Sequence, residues 1–136
     1  LGEIALKERF QEILDNFFPR YLEVLREHRG VINEVRIEGH TSSIWNSQTT
    51  PDEAYFKNMW LSQGRTRSVL SYVYANPQIA ADRDWVKSYV AAVGFSSSRP
   101  VTWANGRENE ERSRRVTFRV ITDVDIKMRT VLEKVK

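Results

Sequence analysis

At 136 residues, with no cysteine and 21 basic against 18 acidic side chains for a formal net charge of +3, the chain reads as one domain without disulfides, thiolate metal sites or a cysteine nucleophile. Its 40% hydrophobic content, with 6 Phe, 5 Tyr and 4 Trp, suffices for a single core and argues against disorder of the whole chain. Lys and Arg alternate with Asp and Glu without a long basic run, so no nucleic-acid partner is expected, and no apolar run approaches the roughly 18 residues of a membrane span.

Over residues 6–29 the apolar positions Leu6, Phe10, Ile13, Leu14, Phe17, Tyr21, Leu22 and Leu25 follow the three-and-four spacing of an amphipathic helix. Pro19 has no N–H for the carbonyl of Asp15, which predicts a kink or break near Phe18, and Gly30 is placed to terminate the helix. Residues 31–39 switch to a period of two, with Val35, Ile37 and Gly39 opposite Arg36 and Glu38, which predicts a strand. A polar loop over 42–50 leads to Thr50-Pro51-Asp52-Glu53, in which Thr caps, Pro occupies the first helical position and Glu completes a capping box.

The helix so started is expected to end by Ala75-Asn76-Pro77, with a break near Ser62 where Gly64 weakens it. One helical turn is expected over 79–85, a second strand over 87–95, a polar connection over 96–111, and a third strand over 115–121 alternating Val116, Phe118 and Val120 with Arg115, Thr117 and Arg119. Residues 125–136 read as a final helix. Helices in the connections between strands define an α/β fold, a two-layer sandwich with a sheet packed against helices.

Three segments stand out: Gly39-His40-Thr41-Ser42 at the end of the first strand, Asn58-Met59-Trp60-Leu61-Ser62-Gln63-Gly64-Arg65 in the second helix, and Ser113-Arg114-Arg115-Val116 opening the third strand. In this order, with a strand ending in Gly94-Phe95 between the last two, they resemble the OmpA-like peptidoglycan-binding domain, also found at the C-terminus of MotB-type proteins. That family's pattern runs roughly GHTD, N-x-x-L-S-x-x-R-A and N-R-R-V. The resemblance covers about two thirds of the chain. It implies a mixed sheet, usually with one more strand before the first helix, and it implies non-catalytic attachment to the cell wall with no cofactor.

In the family the ligand is the peptidoglycan stem peptide, typically at diaminopimelate, whose free end carries an ammonium and a carboxylate. By the same resemblance Arg65 takes the carboxylate through its planar fork, and Asn58 contacts the peptide. His40, Thr41 and Ser42 form the adjoining turn, and Ser113, Arg114 and Arg115 match the segment before and within the last strand. Because adjacent strand residues point to opposite faces, one of Arg114 and Arg115 is expected to face the pocket. Ser42 stands where the family has Asp, and Ser113 where it has Asn. A neutral hydroxyl holds an ammonium less strongly than a carboxylate does. Either Asp52 or Glu53 compensates, or the domain binds another stem, binds weakly, or has lost binding and serves as a protein-interaction module.

Domains of this kind occur on outer-membrane barrels, lipoproteins, flagellar stators and the stators of motor-like Zorya antiphage systems. The resemblance therefore implies a periplasmic domain of a Gram-negative membrane protein, residues 1–136 being a fragment whose stretch 1–30 forms the first helix and a linker. Membrane contact is then expected only through segments outside this chain, and a homodimer is an expected assembly. Each motif also has a plainer reading: His40 satisfying backbone groups, Arg65 a solvated helix residue, Arg114 and Arg115 charges guarding a sheet edge, and Trp45, Trp60, Trp85 and Trp103 core or partly buried residues, Trp45 and Trp103 in polar loops being the better candidates for exposure. An enzyme is disfavoured, since a triad would have to use His40 beside Thr41 and Ser42 without a nucleophile elbow, and no zinc or nucleotide motif is present.

Overall fold

The computed structural model describes residues 4–124. Helix α1 (Glu8–Arg26) is followed by β1 (Ile32–His40), α2 (Pro51–Ala75), a 3-10 segment (Pro77–Asp82), α3 (Arg83–Tyr89), β2 (Val90–Gly94), the short α4 (Glu110–Ser113) and β3 (Arg115–Thr122). β1 is central, parallel to β2 and antiparallel to β3, so the sheet is mixed, with strand order β2-β1-β3. The expected final helix over 125–136 lies outside the described residues.

The core joins Leu14, Phe18, Leu22 and Leu25 of α1 to Val35 and Ile37 of β1 and Val69 and Val73 of α2. Phe118, paired with Ile37 across the sheet, meets the rings of Phe17, Phe18 and Tyr21 on α1. Sheet and helices thus form the expected α/β sandwich.

Four local expectations are corrected. α1 runs unbroken through Pro19. The lost hydrogen bond falls on Asp15, an exposed residue whose carbonyl water can reach, and burial of Leu14, Phe18 and Leu22 on the same face outweighs the roughly 3 kcal/mol penalty of an internal proline. The helix ends at Glu27, whose N–H returns to Val24 O at 3.3 Å, and Gly30 takes no positive φ. α2 is likewise continuous past Ser62, because Gly64 is buried against Ile4, where a Cβ would come within 2.6 Å of Ile4 Cγ2. The second strand is shorter than expected, since residues 87–89 belong to α3. There Trp85 and Tyr89, four apart, stack at 5.1 Å while Val86 faces the core, a helical and not an alternating pattern.

The N-cap of α2 is as read, Thr50 Oγ1 accepting from Glu53 N at 3.2 Å with Pro51 in the first turn. The buried stripe of α2 comprises Ala54, Asn58, Leu61, Ser62, Gly64, Thr66, Val69 and Val73. It descends closely onto the sheet at one point. A Cβ on Gly39 would lie 2.7 Å from Ser62 O, and one on Gly94, its partner across β1 and β2, would lie 2.6 Å from Gln63 N. Two facing glycines therefore let the helix backbone touch the sheet at the ends of β1 and β2, and this contact places Arg65.

Candidate functional site

The C-terminal end of β1 is where the three motifs meet. Arg65 is half-buried on α2, four residues from both Leu61 and Val69 of the buried stripe, so its long stem can pack along that face. β3 begins beside it, since His40 pairs with Arg115. Between them lies a cavity of about 360 Å³, walled by Arg65, Arg114, Arg115 and Val116 on one side and by Ala5, Leu6, Lys7 and Phe10 on the other. Among the described residues, three guanidiniums and an ammonium line it. Such a lining attracts anions, and arginine forks suit a carboxylate.

Both arginines of the pair line the cavity, although strand alternation alone predicts one. Arg114 precedes β3 as the C-cap of α4, so alternation does not govern it. Arg114 is exposed and directs Nη1 toward Ser42 Oγ at 3.5 Å, the outer limit of a hydrogen bond. Arg115 is half-buried and donates to Ser113 O at 3.1 Å and Arg99 O at 3.2 Å.

The remaining motif residues build the frame around this opening. Asn58 is buried, its amide donating to Ser42 O at 3.1 Å and Ile44 O at 3.5 Å, so it clamps the loop after β1. Ser42 is 1% exposed, and Thr41, also buried, donates its N–H to Ser96 O at 2.9 Å. Ser113 is buried and its hydroxyl ties both the N–H and the carbonyl of Val101, at 2.9 and 3.3 Å. His40, 4% exposed, stacks on Phe95 with centroids 5.2 Å apart and planes 6° from parallel, and the Arg99 guanidinium lies 4.0 Å from the Phe95 centroid. Burial pushes the imidazole pKa below its usual value, the positive Arg115 and Arg99 lower it further, and Glu38 opposes them.

Sequence reasoning missed Glu108. Its carboxylate accepts from Ser43 N at 2.9 Å and Ser43 Oγ at 2.6 Å, bracing the same loop. Glu108 lies in a stretch without periodicity, so no pattern marked it. The wall formed by Ala5, Leu6, Lys7 and Phe10 was also unmarked, because it arises where the segment leading into α1 passes α2, Ile4 lying against Gly64. Of the tryptophans, Trp60 and Trp103 are exposed, Trp45 is half-buried with Lys57 Nζ 5.8 Å from its ring, and Trp85 stacks on Tyr89 beneath Arg29.

No family model matches the chain. Its fold is nevertheless that of the OmpA-like and MotB C-terminal α/β domains, as the motifs predict. The periplasmic domain of Helicobacter pylori MotB superposes with a TM-score of 0.58 at 14% identity, over 98% of this chain and 76% of that one. The OmpA-like domain of FopA1 from Francisella tularensis gives 0.56 at 18% identity, over 89% and 69%. The peptidoglycan-associated lipoprotein of Burkholderia pseudomallei gives 0.50 at 15%, over 89% and 83%.

A curated relative is much nearer in sequence. The chain is 54% identical over 134 residues to the Zorya protein ZorB of Escherichia coli, a match covering 98% of this chain and 57% of that protein. The chain thus spans little more than half the length of that relative.

Proposed function

We propose that this chain is a non-catalytic, periplasmic anchor that binds the peptide stem of cell-wall peptidoglycan and tethers a stator-type membrane complex of the Zorya kind. The observation that carries this is the convergence of Arg65, Arg114 and Arg115 on one cavity at the end of β1. Arg65 is remote in sequence from the adjacent Arg114 and Arg115, and together they match two motifs of a peptidoglycan-binding family. The similarity to ZorB and the fold shared with MotB and a peptidoglycan-associated lipoprotein support the reading. A binding role fits better than catalysis. His40 is buried and stacked on Phe95, and Thr41 and Ser42 beside it are buried as well, so this triplet does not present a nucleophile and base to a substrate.

The test is sedimentation of the purified chain with isolated peptidoglycan sacculi. Arg65→Ala is expected to abolish co-sedimentation while circular dichroism and melting temperature stay near those of the parent. Arg65→Lys should not restore binding fully, because an ammonium lacks the two-pronged geometry. Undiminished pull-down of Arg65→Ala would remove the residue from the site and the proposal with it.

A further inference from the structure

We infer that Lys7 is a second carboxylate-reading residue of the cavity, so that the site takes both carboxylates of one diaminopimelate at the end of a tripeptide stem; the inference rests on the peptidoglycan reading above. Two elements remote in sequence bring cations to the same cavity of about 360 Å³. Arg114 and Arg115 come from the start of β3, and Lys7 comes from the segment that leads into α1. Leu6, Phe10 and Val116 line the cavity with them, so charged heads share it with apolar side chains. A volume of this order holds a small molecule and not merely the tip of one side chain. The lining matches a ligand with two anionic ends joined by methylenes: the methylenes leave water for Leu6, Phe10 and Val116 while each carboxylate meets a cation.

Lys7 is not explained by the helix it precedes. It occupies the N-cap of α1 at φ −68° and ψ 148°, the extended conformation in which Ser, Thr, Asp or Asn accepts a hydrogen bond from the first turn. Its own side chain makes no capping bond. A cation there also stands at the end of the helix dipole that favours anions, a preference that Glu8 in the first turn obeys. A residue that local structure disfavours and that lines a cavity marks a functional position. The backbone carrying it is tied down, since Gln11 N donates to Lys7 O at 3.0 Å and Ile4 lies against Gly64 of α2, the residue before Arg65. Arg65 takes the carboxylate at the far end of diaminopimelate under the reading above. Lys7 then takes the near one, which is free only where the stem ends at this residue, because a following residue turns it into an amide.

Calorimetric titration of the 136-residue chain with two synthetic peptides tests this. One is L-Ala-γ-D-Glu-meso-diaminopimelate with both diaminopimelate carboxylates free, and the other is the same peptide with the near carboxylate amidated. The parent chain is expected to bind the free peptide about tenfold more tightly than the amide. Lys7→Ser should bring the free peptide down to the affinity of the amide and leave the amide unchanged, whereas Lys7→Arg, which keeps a cation, should retain most of the preference. The melting temperature of Lys7→Ser should equal or exceed the parent's, because serine can cap α1, so the loss of binding is not a loss of fold. Equal weakening of both peptides, with or without a lower melting temperature, would show that Lys7 acts through the fold or the general field of the site. A parent that binds both peptides equally, or a Lys7→Ser chain that binds both as the parent does, would show that the near carboxylate is not read by Lys7; each of these results overturns the assignment. If the parent binds neither peptide, the peptidoglycan reading itself fails and the assignment falls with it, an outcome separate from the others, which need a parent that binds.

Discussion

Asn58 and Arg65 sit two turns apart on α2 and resemble the same motif, yet their surroundings separate what they do. Asn58 is buried and committed to two loop carbonyls, whereas Arg65 lies at the rim of the helix's buried stripe and faces a cavity. His40 is a third case, placed by the motif but enclosed between strand and ring. Its lowered pKa means that the unfolded chain, with histidine near 6.5, binds a proton more readily than the folded one. The stability that neutral His40 contributes is therefore fully present above about pH 6.5 and is lost as pH falls through the lower folded-state value. The groups around it are Glu38 on its own strand, Arg115 on β3 and Arg99 on the following connection. Melting temperature followed between neutral and mildly acidic pH should fall more steeply for the parent chain than for His40→Gln; parallel curves would show that His40 has no part in the acid response.

Among the elements, α2 does the most to assemble the site, because its backbone lies against both parallel strands where they end. Its approach depends on Gly39 and Gly94, where a methyl group would strike the helix backbone at Ser62 and Gln63. Gly39→Ala should force the helix from the sheet and destabilise the fold by about 1–3 kcal/mol, the usual range for overpacking. It should also loosen sacculus binding beyond what the lost stability explains, since Arg65 rides on the displaced segment. Urea denaturation with a sedimentation assay on the folded fraction checks both effects. At the other end of the molecule Asp82 receives Arg26 at 2.7 Å and also Arg29, so the end of α1 is pinned to the 3-10 segment that leads into α3. This contact gives α1, despite Pro19, a fixed exit toward β1.

At the scale of the whole molecule, one core underlies both the sheet and the site. Phe18 is fully buried at its centre, within reach of Tyr21 and Phe118. Phe18→Ala should cost about 3–5 kcal/mol, and because the described residues share a single core the loss should appear as one earlier unfolding transition in calorimetry. Two separated transitions would mean that helices and sheet unfold independently. No helix among the described residues is long and apolar enough to cross a membrane.

Periodicity and capping chemistry are local properties, so α1, β1, β3 and the start of α2 were legible from residues alone, as was the family resemblance of the three motifs. Where two periods overlapped, at Trp85-Val86-Tyr89, or where a breaker competed with burial, at Pro19 and Gly64, packing decided, because core contacts outweigh propensities of about 1 kcal/mol for glycine and about 3 kcal/mol for proline. The sequence by itself determined the fold class and the candidate arginines. Only tertiary structure decided that Arg65, Arg114 and Arg115 share one cavity, that Asn58 and Ser113 are spent on holding loops, and that Glu108 braces the loop after β1 through Ser43. The reason is physical: a binding site is a set of distances between residues remote in the chain, and those distances are set by how closely a helix can lie on a sheet.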